Sequence, residues 1–381
     1  MESRSRAATS PAMRLLDRYL ALAADERASD LHLEPTGTGL QIRMRVDGVL
    51  HAIEPPPASL VAPLLARTRL LARVDLAEHR LPQDGRFAFE HHGVHVDVRA
   101  AFMPVHGGEK LVLRMLQRER DDRGFDDLGL DGDEATVVSR ALDAPHGLIV
   151  VVGPTGSGKT TTLYAAIEHL RRPELSIVTV EDPVERDVGG VAQIPVDTDC
   201  GRGFDVVLRT VLRLDPDVIM IGEMRDVDSA RIACRAALTG HRVLTTLHTT
   251  DAIEALVRLC DMGVPRHLVA ATVSLVIAQR LVRRLCSRCK SIVEPGTSEL
   301  AAYHELGLMA PDRVAATVGC AACAGKGYRG RAAVFELLDL TASCDLEATP
   351  SRSLRAAGLA LATALTTTTA EVVSTCPAPR G

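Results

Sequence analysis

The stretch VVGPTGSGKTTTLY, Val151 to Tyr164, decides how the rest of the chain is read. Gly153, Gly158, Lys159 and Thr160 stand at the spacing of a phosphate-binding loop, after an apolar run and before a helix-compatible one, the context such a motif requires. Its glycines let backbone N–H groups curl around phosphates, Lys159 can reach the β and γ oxygens, and the Thr160 hydroxyl can ligate Mg²⁺. The predicted cradle comprises Gly153, Pro154, Thr155, Gly156, Ser157, Gly158, Lys159, Thr160 and Thr161. A glycine-rich strand-to-helix turn without a ligand is the plain alternative.

Working outward, four short apolar runs follow one another: GLIVVV at 147–152, LSIVTV at 175–180, DVIMI at 217–221 and RVLTTL at 242–247. Continuous apolar strands separated by helix-length segments predict a parallel sheet covered on both faces. Upstream the texture differs. A short amphipathic helix carrying Leu15, Leu16, Tyr19 and Leu20 precedes segments that alternate apolar and polar residues, with Ile42, Met44, Val46 and later Val94, Val96, Val98 on one side. That pattern predicts a small α/β domain with a half-exposed sheet. QRERDDRGFDD, from Gln117 to Asp127, reads as a charged linker.

With 381 residues the chain can bury two or three separate cores. Its apolar runs are broken by charge well before the roughly 18 residues a membrane span needs, so no transmembrane helix is expected. The N-terminal MESRSRAATSPAMRLLDRYL has no uninterrupted apolar segment and is not expected to act as a secretory signal. A net charge of −5 argues against nonspecific nucleic-acid binding by the whole chain. Nine cysteines in a chain expected in the cytosol suggest thiols or metal ligands rather than disulfides.

A phosphate loop needs acidic partners before it can do chemistry. DPDVIMIGEMRD, 215–226, is an apolar strand ending in Glu223, with Gly222 where many such enzymes carry a metal-binding aspartate. Glu223 can orient water or hold the Mg²⁺ shell. TVEDPVE places Glu181, Asp182 and Glu185 after a second strand, and TTLHTTDA places His248 after a third. Ligands of open α/β sheets gather at the carboxyl ends of the strands, so these residues can converge on a nucleotide. His248 is a candidate γ-phosphate sensor, since imidazole charge is easily tuned near neutral pH. Taken alone, each also suits an ordinary polar strand end.

Cys286-Ser-Arg-Cys289 and Cys320-Ala-Ala-Cys323 form two CxxC knuckles in basic, Gly-rich loops. Four thiolates can close a tetrahedral Zn²⁺ site without an open position, which makes the metal structural. Thirty residues separate the pairs, more than the common spacing of about 15 to 20, and a redox role for one pair is the rival reading. Cys200, Cys234, Cys260, Cys344 and Cys376 have no partner spacing; Cys234 and Cys260 are expected in helix cores.

GPTGSGKTTTLY, TVEDPVE, DPDVIMIGEMRD and LTGHRVLTTLHTTDA, in this order, resemble the Walker A, Asp, Walker B and His boxes of the type II secretion and type IV pilus traffic ATPases. ASDLHLEP, IRMRVDGVL, RLPQDGRF and GGEKLVLRML resemble the PAS-like, sensor-like N-terminal domain of the same family, while AQRLVRRLCSRC and GCAACAGKGYRGRAAVFELL resemble its metal module. The resemblance implies an α/β fold with a RecA-like P-loop ATPase core, a smaller N-terminal α/β domain and an inserted tetracysteine zinc module. Expected boundaries are 1–118, a linker at 119–127, the core at 128–280, the metal module at 281–335 and a tail at 336–381.

By the same resemblance the chain is a hexameric ATPase using ATP, Mg²⁺ and structural Zn²⁺, peripheral at the cytoplasmic face of the inner membrane. There it would couple hydrolysis to pseudopilus assembly for type II secretion, with membrane platform proteins as partners and no direct contact with nucleic acid. Glu223 becomes the favoured catalytic carboxylate and Glu181 the second. Arg99, Arg114, Arg209 and Arg213 match arginines that reach phosphates in an adjoining subunit. Type IV pilus extension shares these sites and is the alternative. A conjugative or DNA-transport motor is third, since 3% aromatic content offers little for stacking bases. RSLRAAGLALA and TALTTTTAEVV faintly resemble the family's closing helices, and STCPAPRG is expected to fray.

Overall fold

A computed structural model describes residues 10–117, 124–197, 200–341 and 346–379. The chain divides into two compact units, residues 1–121 and 122–381. Cys344 and residues 118–123 of the expected linker lie outside the described residues.

The first unit runs α1 (Pro11–Asp25), β1 (Asp30–Thr36), β2 (Gly39–Val46), β3 (Val49–Ile53), α2 (Ala58–Ala72), β4 (Gln83–His91), β5 (Val94–Val105) and β6 (Gly108–Gln117). Its six strands lie in the order β3-β2-β1-β6-β5-β4, every neighbour antiparallel. Ser10 starts α1 by accepting from the Met13 N–H, and Leu16, Tyr19, Leu20 and Ala23 follow at helical spacing on its buried face. They join one core with Ile42, Met44 and Val46 of β2 and Val96 and Val98 of β5; Val94, at the strand's start, is half exposed. Arg69, 2% exposed, ion-pairs with Glu109 and donates to the carbonyls of Asp75 and Glu78 at 2.7 and 2.8 Å. A guanidinium so enclosed is tolerated because its donors are used, and it moors the turn that leads into β4.

The second unit continues α3 (Gly132–Asp143), β7 (Gly147–Val152), α4 (Lys159–Leu170), β8 (Ile177–Glu181), β9 (Ala192–Pro195), α5 (Phe204–Val211), β10 (Val218–Ile221), α6 (Val227–Leu238), β11 (Arg242–Leu247), α7 (Ala252–Asp261) and α8 (Arg266–Thr272). Then come β12 (Val273–Leu285), β13 (Ser291–Val293), α9 (Thr297–His304), β14 (Val314–Ala316), β15 (Tyr328–Asp339), α10 (Leu354–Thr363) and α11 (Thr369–Thr375). The sheet order is β15-β12-β7-β11-β10-β8-β9, parallel from β12 to β9 with β15 antiparallel at one edge. The four apolar runs are its four central strands β7, β8, β10 and β11. Leu148, Val150 and Val152 of β7 enter one core while Ile149 and Val151 enter another. Residues that alternate between faces thus feed two cores, which is why these strands read as unbroken apolar runs.

Leu281 pairs with Ala333 and Gln279 with Phe335, so the expected module boundaries at 281 and 335 fall inside β12 and β15, strands of the main sheet. The two closing stretches form helices whose Leu354, Leu359 and Val372 are buried in the core beneath β7, β12 and β15, and Cys376, within the STCPAPRG stretch expected to fray, is buried with them. Ser353 and Thr368 start α10 and α11 by accepting from Ala356 and Glu371 N–H groups. Among the described residues no helix is long and apolar enough to cross a membrane.

Candidate active site

Four parallel strands end at one edge of the second sheet. The loop 153–158 leaves β7, Asp182 follows β8, Glu223 stands two residues beyond β10, and His248 follows β11. Gly153 has φ 153° and a Cβ there would lie 2.5 Å from the Gln279 carbonyl; Gly158 has φ 91° and a Cβ would lie 2.8 Å from Gln279 Nε2. Only glycine meets both the dihedral and the space at these two positions. The loop is packed onto β12, and Thr162 Oγ1 donates to Gln279 Oε1 at 2.7 Å to fix the first turn of α4.

Lys159 is buried, and its Nζ donates back to the carbonyls of Gly153 at 2.8 Å and Pro154 at 3.1 Å. Burial pushes the ammonium down to about 8, Glu223 counters this and Arg280 adds to it. Ser157 Oγ is buried and, among the described residues, has no hydrogen-bond partner. A buried hydroxyl without a partner and a lysine satisfied by its own loop fit a pocket for an anion that would engage both.

His248 spans the site. Its Nδ1 is 3.5 Å from Lys159 Nζ and its Nε2 is 3.2 Å from Glu223 Oε1. Arg225 then contacts Glu223 at 3.1 Å and Asp182 at 3.4 Å, joining the ends of β10 and β8. Glu181 is placed otherwise. It is 3% exposed and accepts from the Tyr164 hydroxyl at 2.5 Å, Thr179 Oγ1 at 2.6 Å and Gln193 Nε2 at 3.0 Å. Burial, with the Glu181 carboxylate beside it, raises the Tyr164 phenol above its ordinary range. Arg209 and Arg213 are exposed on α5 and just after it. Arg99 and Arg114 lie in the first unit as direct cross-strand neighbours, and Arg114 reaches Asp30 at 3.0 Å.

Sequence reading missed Gln279 and Arg225. Gln279 is a polar residue inside the apolar run VSLVIAQRLV, which is a signal in itself. Arg225 stands in GEMRD beside the glutamate that drew attention away from it.

The four expected cysteines come together. Sγ separations are 3.9 Å for Cys286–Cys320, 3.8 Å for Cys289–Cys323 and 3.9 Å for Cys320–Cys323. Tetrahedral thiolates at a Zn–S length of about 2.3 Å stand roughly 3.8 Å apart, so the set fits such an ion. Burial opposes charge on Cys323, but N–H groups of Cys320 and Gly327, each 3.2 Å from its sulfur, hold the thiol down to about 6. Burial pushes Cys289 the other way, to about 12. Four adjacent thiols cannot all ionise without a cation among them.

A phosphate cradle, an acid and a histidine on one edge of a parallel sheet define a P-loop nucleotide-binding protein. The family model described as Type II/IV secretion system protein matches residues 5–367, and the chain belongs to that family. It is 43% identical over 333 residues to the putative type II secretion system protein E of Escherichia coli K12, covering 87% of this chain and 67% of that one. It is 41% identical over 334 residues to the type IV pilus assembly ATPase PilB of Myxococcus xanthus, covering 86% and 58%. The chain therefore spans about two thirds or less of the length of these relatives. The fold is shared with the Yersinia pseudotuberculosis ATPase DotB, at a TM-score of 0.69, 19% identity and coverage of 98% and 95%.

Proposed function

We propose that this chain is a protein-secreting ATP hydrolase that assembles as a hexameric ring at the cytoplasmic face of the inner membrane. It couples hydrolysis to assembly of a pseudopilus for type II secretion, acting on membrane platform proteins. The observation that carries the reading is the unbroken contact from Lys159 through His248 to Glu223. Likeness to PilB supports type IV pilus extension as the second reading, with the same site.

Bound Mg·ATP supplies the phosphoryl group that passes to water. Lys159 exchanges the Gly153 and Pro154 carbonyls for phosphate oxygens, Ser157 and the loop N–H groups complete the cradle, and Thr160 serves the metal. Glu223 orients the attacking water and accepts its proton, while His248 holds the carboxylate and senses whether Lys159 is engaged. Arg99, Arg114, Arg209 and Arg213 contribute charge to phosphates of an adjoining subunit, so that chemistry waits on ring closure. Zn²⁺ at Cys286, Cys289, Cys320 and Cys323 is structural.

Specific ATPase activity measured against protein concentration, with light scattering in parallel, tests this. Activity that rises with assembly and is lost in Glu223→Gln and Arg99→Ala supports it. Activity indifferent to assembly and to Arg99→Ala overturns the shared site and leaves an ordinary P-loop ATPase.

A further inference from the structure

Outside the nucleotide edge and the cysteine knuckles, one more cluster has metal-ligating chemistry. Asp25 ends α1, and His91 and His92 lie at the turn between β4 and β5. Oδ1 of Asp25 is 2.7 Å from His91 Nε2 and 3.9 Å from His92 Nε2, and the three ligand atoms lie within 4.8 Å of one another. The two imidazoles lie with centroids 4.0 Å apart, their planes tilted by 53°. We propose that Asp25, His91 and His92 form a second metal site, for a borderline divalent transition ion such as Zn²⁺.

Three independent features meet here. The ligand set is two imidazoles and one carboxylate, which suits zinc-like ions and leaves a position for water. Ligand atoms around a tetrahedral ion at about 2.0–2.1 Å stand roughly 3.3 Å apart, so entry of the ion requires the Asp25–His91 contact to open by about half an ångström and the His92 contact to close by a similar amount. Asp25 also stands at the carboxyl end of α1, where the helix dipole disfavours an anion and favours a cation. The site thus gathers negative charge that its own ring nitrogens, when neutral, do not offset.

The turn adds a further point. His92 adopts φ 51° and Gly93 φ 76°, the paired left-handed geometry of a two-residue hairpin turn. Histidine, like Asn and Asp, is among the non-glycine residues that populate this conformation, so the turn holds His92 at its tip. His92 is well exposed while His91 is mostly enclosed, so one ligand is preset and the second closes over the ion from solvent. Occupancy would clamp the end of α1 to the β4–β5 hairpin.

Equilibrium dialysis of the full chain against Zn²⁺ tests the site, comparing wild type with His91→Ala/His92→Ala, Asp25→Asn and His95→Ala. The expected result is one Zn²⁺ fewer per chain in the double variant at any filling of the cysteine site. Asp25→Asn should weaken that ion about tenfold or more, and His95→Ala, in the same strand pair but outside the cluster, should bind as wild type. Circular dichroism verifies that the variants fold. Equal stoichiometry in wild type and the double variant overturns the proposal. So does an equal loss in His95→Ala, which would mark adventitious binding by surface histidines.

Discussion

His248 Nε2 stands 3.2 Å from Glu223 Oε1, and the other ring nitrogen faces Lys159. One imidazole therefore touches both the group that would hold phosphate and the carboxylate that would handle water. Glu181, by contrast, is surrounded by three donors from its own unit. These two glutamates should fail differently when made amides.

Glu223→Gln should lower kcat for ATP hydrolysis by about 10² or more, since it removes the proton acceptor, while leaving the unfolding midpoint near that of wild type. Glu181→Gln presents N–H to one of the donors now facing it, and should cost about 1–3 kcal/mol of stability. Paired measurements of kcat and thermal midpoint separate them. A Glu181→Gln protein that keeps its midpoint and loses kcat would reverse the assignment.

Nucleotide affinity should depend on pH through Lys159. In the free protein burial holds its ammonium at about 8, below the ordinary 10.5, and phosphate oxygens would restore the charged form on binding. Binding then takes up a proton above pH 8. Below that pH affinity is flat in this residue, and above it Kd should rise toward tenfold per pH unit until the complex itself titrates. In the free state the same depression works on folding. The unfolded chain binds the extra proton between about 8 and 10.5, so stability from this residue increases with pH across that window. Isothermal titration of Lys159→Gln should show weaker binding without that slope.

The phosphate loop was legible because its chemistry is local: three glycines and a lysine within seven residues of an apolar strand. Alternation in β2 and β5 and continuity in β7, β8, β10 and β11 made both sheets readable for the same reason. Gln279 was not legible as a site residue because its contact with Thr162 spans 117 positions, a separation that no local period encodes. The closing helices were only faintly legible for a different reason. Thr368 is a helix cap and Thr367 bonds the Arg283 carbonyl, and short helices draw their stability from such packing, which no local period encodes.

Gln279→Leu tests that long-range contact. It removes the acceptor of Thr162 Oγ1 in a buried place and frees the base of the phosphate loop. A loss of about 1–3 kcal/mol is expected, with a raised KM for ATP. Thr162→Val on the same background should recover part of the stability by removing the unpaired hydroxyl, but not the KM. Urea unfolding and steady-state kinetics on the two variants decide it.

Removing the ion from the cysteine knuckles should loosen their loops without emptying the nucleotide site. Cys286, Cys289, Cys320 and Cys323 flank the outer ends of β12 and β15, whereas the phosphate loop packs on the middle of β12 at Gln279. Cys323→Ser should therefore lose bound Zn²⁺ and several degrees of thermal midpoint while changing the Kd for ATP by less than about threefold. Metal analysis, a thermal melt and nucleotide titration on one preparation give all three readouts.

The last expectation concerns Glu371, whose carboxylate accepts from the Arg283 N–H at 3.0 Å and from its guanidinium at 3.0 and 2.6 Å. Glu371 is 8% exposed and Arg283 partly so, which leaves this pair more than a surface ion pair and less than a fully buried one. Glu371→Ala strips an acceptor from a backbone N–H of β12 and removes the carboxylate that pairs with the guanidinium lying over the Tyr328 ring. The cost should be about 2 kcal/mol, or some 4–8 °C in the midpoint of a domain this size. Glu371→Gln, which keeps the acceptor for the N–H, should lose less. An α11 not packed on β12 would give neither loss, so an unchanged midpoint in Glu371→Ala would return it to the solvent.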